Sequence, residues 1–576
     1  MKHGKESRES KSIIVDASGR SYLVGLELNG NDGAPLALSP AFDENTLEYT
    51  VNVPSATYSV YLTPTLDQLA GLDPNAKIEL SLNGGSWTNV QDSEASGDLP
   101  LREGRNTIQV KVTVNGREMI YTIHVYKPLT GGGDSNDGGG QITPSPAPTP
   151  SPAPQPEAPK GNLDTTLNGS DHSFATGTIT ESNGRKVTSV EIDQSKLADA
   201  ISSGTNQNLA VHSPNEGDMT IGGLTAENLQ QLRDKGASLT VSNLLAIYPV
   251  PAGKMNLSSV SGQLGNADLG NIGVRIDINR SSEAVIASAK SKAAAAGYEL
   301  LVDPVDLNLT FAHEGQTVKS GQLNGYAVKY IALPEGIDPN RITTGVVVNP
   351  DGSVYHLPTV VTQINNRYFA QINDLRSSGT YTVIWNPQDF DDVRTHWGRA
   401  DVNNIAARLD LKGTGNNTFS PDRSVTRAEL AEIVVLGLGL MRPEAPGIQF
   451  PDVPASVWYR NAVSLADEFD IVRGYDDGNF YGGRQITREE GFAMVARAYR
   501  LILDSDAVVP NLSVLDQYKD AAKVANWAKA DVAQLVQAGI IRGNGADMIA
   551  PKATMTRAEV TALIARLLKV TNLIDK

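Results

Sequence analysis

Between residues 21 and 127 apolar and polar positions alternate with a period of two. The runs are Tyr49-Thr50-Val51-Asn52-Val53, Ile78-Glu79-Leu80-Ser81-Leu82, Ile108-Gln109-Val110-Lys111-Val112-Thr113-Val114 and Ile120-Tyr121-Thr122-Ile123-His124-Val125. Such alternation predicts half-buried strands, and Asn83-Gly84-Gly85 and Asn115-Gly116 predict the hairpin turns between them. Four strands with turns at this spacing in about 100 residues predict an all-β sandwich. From 161 to 387 the pattern mixes. Capped helices are predicted over Asp193–Ile201, Thr225–Gly236 and Ser282–Gly297. Strands are predicted at Ser238–Val241 and Val305–Phe311, and hairpins turn at Asn349-Pro350-Asp351-Gly352 and Asn365-Asn366. From 388 onward the apolar period becomes helical: Leu430, Ile433, Val434; Phe492, Val495; Val560, Leu563, Ile564.

Each helical run follows the same four-residue signature: Thr426-Arg427-Ala428-Glu429, Thr487-Arg488-Glu489-Glu490 and Thr556-Arg557-Ala558-Glu559. A glycine stands 13 residues before each Thr (Gly413, Gly474, Gly543), and a large apolar residue stands six after that glycine (Phe419, Phe480, Ile549). An aspartate precedes each Thr by 34 to 36 (Asp392, Asp452, Asp520), and a tryptophan follows it by five to seven (Trp397, Trp458, Trp527). This is an internal repeat of roughly 60–70 residues. Each unit should hold two main helices, the first starting near the Trp and the second at the signature.

Thr-x-x-Glu before an apolar run is a capping box and explains Thr and Glu without any function. It does not explain the arginine, since a cation in the first turn faces the positive end of the helix dipole, a cost of about 0.3–1 kcal/mol. Two readings stay open: an arginine that holds a ligand anion at a helix start, or one that ties the adjoining repeat. On the first, Arg→Glu weakens binding while stability holds or rises. Lys412, Arg473 and Arg542, just before the loop glycines, are solvated loop charges or helpers for the same anion. For the three tryptophans core packing is favoured over stacking on a sugar face.

The run Phe390-Asp391-Asp392-Val393, His396-Trp397, Gly413, Phe419, Pro421 and Thr-Arg-Ala-Glu resembles the S-layer homology motif. So do Phe450-Pro451-Asp452-Val453, Trp458-Tyr459, Gly474-Tyr475, Gly478, Phe480 and, more loosely, Tyr518-Lys519-Asp520, Trp527-Ala528, Arg542-Gly543 and Pro551. The resemblance implies a helical domain of three repeats in a pseudo-threefold arrangement. It implies non-covalent binding to a secondary cell-wall polysaccharide, commonly through pyruvylated sugars. Candidate polysaccharide-binding residues are Arg427, Arg488, Arg557, Gly413, Gly474, Gly543, Asp392, Asp452, Asp520, Trp397, Trp458, Trp527, Lys412, Arg473 and Arg542. In the N-terminal region Leu38-Ser39-Pro40-Ala41-Phe42, Tyr49 and Gly104-Arg105-Asn106-Thr107-Ile108 resemble the cadherin-like β-sandwich family of bacterial surface proteins. That resemblance implies a spacer or adhesive module that meets other surface proteins or glycans. Trp87 fits packing or the hairpin surface there better than a sugar platform.

The expected organisation is a disordered 1–20, the β-sandwich over 21–127, a Gly/Pro-rich linker over 128–160, a mixed α/β region over 161–387, and repeats over 388–448, 449–511 and 512–576. The linker ends in a Pro-Ser-Pro-Ala-Pro run from Pro144 to Pro159 that predicts a polyproline spacer of roughly 50 Å.

The 576 residues include no cysteine, so disulfides and thiolate chemistry are excluded. No apolar stretch approaches the roughly 18–20 residues of a membrane span. The opening Met1-Lys2-His3-Gly4-Lys5 shows no signal peptide, so a surface location predicts a start upstream of Met1 or a fragment. Formal charge is −16. Residues 389–576 hold 22 Lys and Arg against 25 Asp and Glu, a net of −3, so the rest carries −13. That acidic bulk argues against nucleic-acid binding, and an anionic polymer must be met by local basic sites.

The sequence offers no His-Glu-x-x-His, Gly-x-Ser-x-Gly, phosphate loop or dinucleotide fingerprint, and its seven histidines are scattered. His396 is expected to be structural. Asp303 and Asp306 fit a solvated strand face. No metal site and no cofactor is expected. The favoured function is a non-catalytic protein of the cell surface and cell wall. The alternative is a wall-anchored polysaccharide-acting enzyme, its catalytic part in 161–387 or missing upstream, recognisable by two carboxylates about 5–10 Å apart in one pocket.

Overall fold

The computed structural model describes residues 23–127 and 163–575, apart from short internal stretches of which 67–75 and 504–509 are the longest. The expectations for 1–20, for the linker, and for the turns at Asn115-Gly116 and Asn365-Asn366 lie outside the described residues. The chain divides into two compact units, one formed by the N-terminal region and one by everything from Pro156 onward.

The N-terminal unit is built from two sheets. One holds four strands, Pro35–Leu36, Leu23–Gly30, Ser59–Leu66 and Leu99–Pro100; the other holds five, Glu48–Asn52, Arg117–Lys127, Gly104–Val114, Lys77–Leu82 and Thr88–Val90. Their inward side chains, among them Leu26, Leu62, Val51, Ile108 and Ile123, form a single core. The period-two alternation demands this, because every second residue of a strand faces the same side. Asn83 and Gly84 turn with positive φ between strands, as the sequence predicted. Trp87 lies on the surface under the Lys111 ammonium, 4.5 Å from the ring centre.

The middle region is more sheet than helix. An eight-stranded and a ten-stranded sheet share one core, with Val190, Ile221 and Ile276 from one and Leu209, Val241 and Ile331 from the other. The predicted helices are present as α1 (Gln194–Ser202), α2 (Ala226–Asp234) and α4 (Glu283–Ala296), capped by Asp193, Thr225 and Ser282. A short α3 (Leu257–Gln263) was not predicted. Asp306 is not on a solvated face: it is half-buried and accepts from Ser281 and Thr380 at 2.7 and 2.6 Å.

The repeats supply α5 (Arg399–Leu409) and α6 (Arg427–Gly437), α7 (Arg460–Glu468) and α8 (Arg488–Leu503), and α9 (Lys529–Gln537) and α10 (Arg557–Val570). Each first helix starts two residues after its Trp and packs on the second helix of another copy: α7 on α6, α9 on α8, and α5 on α10.

This helical part shares packing with the middle region. Tyr326 and Leu375 belong to the helical core. The Tyr326 hydroxyl donates to the Leu438 carbonyl (2.6 Å), Arg376 to Met441 (2.7 Å) and Asn386 to Ala407 (2.9 Å). Arg376 is itself fixed by the fully buried Asp374, which also faces Lys329 and the Tyr381 hydroxyl. Near the end of the chain Asp575 accepts from the Val361 amide (2.9 Å) and pairs with Arg408 (3.3 Å).

Candidate functional site

The residues just before the three signatures, Val425, Ile486 and Met555, are fully buried and joined in a cycle of backbone hydrogen bonds. Val425 N–H donates to the Met555 carbonyl, Met555 to Ile486 and Ile486 to Val425, at 2.9, 3.1 and 3.1 Å. The third copy thereby closes on the first.

All three capping boxes form, with Thr426, Thr487 and Thr556 accepting from the amide of the signature Glu while that Glu accepts from the Thr amide. The two preceding amides are satisfied by another copy. Arg427, Arg488 and Arg557 N–H donate to the Arg484, Ala553 and Arg423 carbonyls, and those of Ala428, Glu489 and Ala558 to Gly482, Pro551 and Pro421. The helix starts are thus filled with protein acceptors, and only the guanidinium groups remain to meet an anion.

Those guanidinium groups also reach across copies. Nε of Arg427 donates to the Phe480 carbonyl (3.0 Å), that of Arg488 to Ile549 (2.7 Å) and that of Arg557 to Phe419 (2.9 Å). The acceptors are the three recurrent apolar residues. Nη2 of Arg427 and of Arg557 also donate to the Arg473 and Lys412 carbonyls, at 3.1 and 3.0 Å. Arg488 instead pairs with the Glu559 carboxylate. Arg427 lies between the Tyr475 and Phe480 rings, 4.6 and 4.9 Å from their centres. Burial lowers the pKa of Arg427 and Arg557, so each guanidinium bears a desolvation cost that its carbonyl partners offset.

The aspartates hold the loops that offer these carbonyls. The two oxygens of Asp392 accept from the Phe419 and Ser420 amides, those of Asp452 from Phe480 and Tyr481, and those of Asp520 from Ile549 and Ala550, all at 2.7–2.8 Å. Ser420, Tyr481 and Ala550 have φ of 58°, 55° and 51°, a left-handed conformation that the clamp sustains. Gly413, Gly474 and Gly543 let each loop pass close over an aromatic ring; an added Cβ would stand 3.2, 3.1 and 2.7 Å from Phe390, Phe450 and Tyr518. Tyr518 therefore does in the third copy what phenylalanine does in the others.

The core-packing expectation for the tryptophans is overturned. Trp397, Trp458 and Trp527 are 63, 62 and 58% exposed. His396 is structural, its Nδ1 accepting from the Gly398 amide (3.1 Å) just before α5.

A cavity of about 370 Å³ gathers several of these parts: its lining includes Trp397, Arg488, Arg542, Gly543, Asn544 and Glu559, together with Arg566. Arg542 is exposed and its side chain makes no ion pair or hydrogen bond among the described residues, whereas Lys412 pairs with Asp410 (2.6 Å) and Arg473 with Asp470 (2.6 Å). The reason is local: Asp410 and Asp470 end their helices with positive φ, and in the third copy that position is Gly539. The sequence carried this signal. Arg566 was missed, although Glu559, Ala562, Leu563 and Arg566 share one face of α10 by helical spacing.

A second cavity, about 410 Å³, lies where the middle region meets the helices. Its lining includes Arg376, Ser377, Arg442, Glu468 and Phe469, and its one carboxylate, Glu468, is ion-paired with Arg442.

Among known families, the cadherin-like beta sandwich domain matches residues 26–128, and the S-layer homology domain matches 389–431, 449–490 and 517–561. The exoglucanase XynX of Acetivibrio thermocellus is 29% identical over 252 residues, 43% of this chain and 22% of that protein. The cellulosome-anchoring protein of the same species is 34% identical over 162 residues, 28% of this chain and 35% of that protein. The surface-layer 125 kDa protein of Lysinibacillus sphaericus is 31% identical over 182 residues, 31% and 14% respectively. The chain thus spans about a third or less of the length of these relatives. It carries a cadherin-like β-sandwich domain toward its N-terminus and three S-layer homology repeats toward its C-terminus.

Proposed function

We propose that this is a non-catalytic protein of the cell surface, docked non-covalently on a pyruvylated secondary cell-wall polysaccharide by its three repeats, with the β-sandwich displayed outward. The observation that carries the reading is the cation-lined cavity between copies, walled by exposed Trp397 and holding Arg488 and Arg542. A pyruvate ketal supplies a carboxylate to such cations, and its sugar ring supplies a face for the indole. The cyclic hydrogen bonds through Val425, Ile486 and Met555 support a pseudo-threefold arrangement in which each groove is built from neighbouring copies. Names of relatives such as cellulosome-anchoring protein and surface-layer protein favour the same location.

The enzyme name among the relatives, exoglucanase, favours a second reading: an anchor for catalytic modules on a longer protein. The cavity bordering the middle region does not offer the paired carboxylates of a glycosidase.

The test is sedimentation of the full chain with purified wall sacculi, with and without their secondary polymer. Retention only on sacculi that keep the polymer is expected, with no release of reducing sugar. Equal retention on stripped sacculi, or none on either, sinks the reading.

A further inference from the structure

The cavity of about 410 Å³ where the middle region meets the helices has no part in wall binding and shares no residue with the one beside Trp397. Both sides of the junction build it. The segment after the strand Gln316–Lys319 and the turn after the strand Arg367–Asp374 come from the middle region. Gly439 and Leu440, beyond α6, and Glu468 and Phe469, at the end of α7, come from the helical part.

Three cations line this cavity, and two are already matched. Arg376 is held by Asp374 and donates to the Met441 carbonyl, and Arg442 pairs with Glu468. Lys319 is exposed and has no carboxylate partner among the described residues; its ammonium donates only to the Asn308 side chain, at 3.2 Å. One positive charge is therefore in excess. Ser377 gives a second, independent sign. It is 1% exposed, and among the described residues its Oγ has no hydrogen-bond partner, a state that buried hydroxyls rarely keep. Its neighbour Ser378 is satisfied, donating to the Leu309 carbonyl and accepting from the Leu309 amide at 3.1 and 2.8 Å. The half-buried Gln322 carboxamide also makes no hydrogen bond among the described residues. These three groups line the cavity together with the buried Leu375, Leu440 and Phe469. The charge thus lies at solvent and the apolar wall lies inside. An inorganic anion would leave that wall unused, and a sugar ring would turn hydroxyls against it.

We propose that this cavity binds the free C-terminus of a short peptide that ends in an apolar residue. The terminal carboxylate meets Lys319, and the last side chain lies against Leu375, Leu440 and Phe469. Ser377 and Gln322 hydrogen-bond the last peptide group. Because the walls belong to both parts, a bound peptide ties the middle region to the helices.

The experiment is calorimetry of the full chain with the peptide N-acetyl-Ala-Ala-Leu as its free acid, beside its C-terminal amide and glucuronic acid. The acid should bind at one site and the amide roughly tenfold more weakly. Lys319→Gln should bring the acid down to the affinity of the amide, while the control Lys290→Gln leaves it unchanged. Ser377→Ala should weaken the acid roughly threefold, yet melt no earlier than the parent, because it removes a hydroxyl that the fold does not pair. A purely structural Ser377 would give the opposite pattern. Saturating acid should raise the melting of the middle region and the helices as one transition. No binding of the acid, equal binding of acid and amide, or full affinity in both Lys319→Gln and Ser377→Ala overturns the proposal. Tighter binding of glucuronic acid than of the peptide overturns the ligand class. Both variants should sediment with sacculi as the parent does; loss of that retention would overturn the independence of the two cavities.

Discussion

At the scale of single residues, the signature arginine is explained by acceptors that leave no trace in a sequence. Arg427 is 6% exposed and spends two nitrogens on the Phe480 and Arg473 carbonyls. Removing it strands both acceptors, at roughly 1–3 kcal/mol each. The expectation that Arg→Glu would hold or raise stability is therefore reversed. Arg427→Gln should cost about 2–4 kcal/mol and lower the melting temperature of the helical part by roughly 5–10 °C. Arg557→Gln, whose site is half-exposed, should cost less. Differential scanning calorimetry decides; no loss in either variant would mean that the carbonyl contacts add no net stability, and equal losses would mean that exposure does not weaken them. Thr and Glu of the signature were legible because a capping box is written in side chains at fixed spacing. The backbone partners of Arg427, Asp392 and their counterparts were not, since any residue offers a carbonyl and an amide. Nor was the exposure of Trp397, because one aromatic residue ahead of a helix has no periodic neighbours to place it on a face.

At the scale of elements, helix ends and strands were read correctly wherever a cap or an alternation specified them, as at Asp193, Ser282 and Gly297. What could not be read was which helices meet. The sequence repeat pairs α5 with α6, α7 with α8 and α9 with α10, but the strongest helix contacts run between copies. A copy is thus no packing unit, and its removal must damage its neighbours. Deleting 512–576 takes away α10, on which α5 rests, and the Ala553 and Pro551 carbonyls that satisfy the start of α8. The shortened chain should lose more than one third of the ellipticity of its helical part and should self-associate in size-exclusion chromatography. Loss of one third only, in a monodisperse protein, would show that copies fold separately.

At the scale of the molecule, the predicted boundary at 387/388 separates two sequence patterns but not two cores, since Tyr326 and Leu375 reach the helices and Arg408 reaches the Thr359 carbonyl. His356 stands near this contact, and burial together with the Arg408 charge holds its pKa down to about 3. The unfolded chain takes up this proton near pH 6.5, the folded chain only near 3, so stability falls as pH drops through that window. Denaturant midpoints of the parent should fall more steeply between pH 6 and 4 than those of His356→Gln, by a slope that approaches 1.4 kcal/mol per pH unit. Parallel slopes would show that His356 is protonated in the fold. The closure of the helical part on itself has a mechanical meaning as well. Its last helix, α10, fastens to its first, α5, and Asp575 holds Val361 and Arg408. Tension drawn from the N-terminal side enters the helical part where its far end is already riveted. The load falls on that clasp, so the repeats cannot be peeled away one after another while it holds.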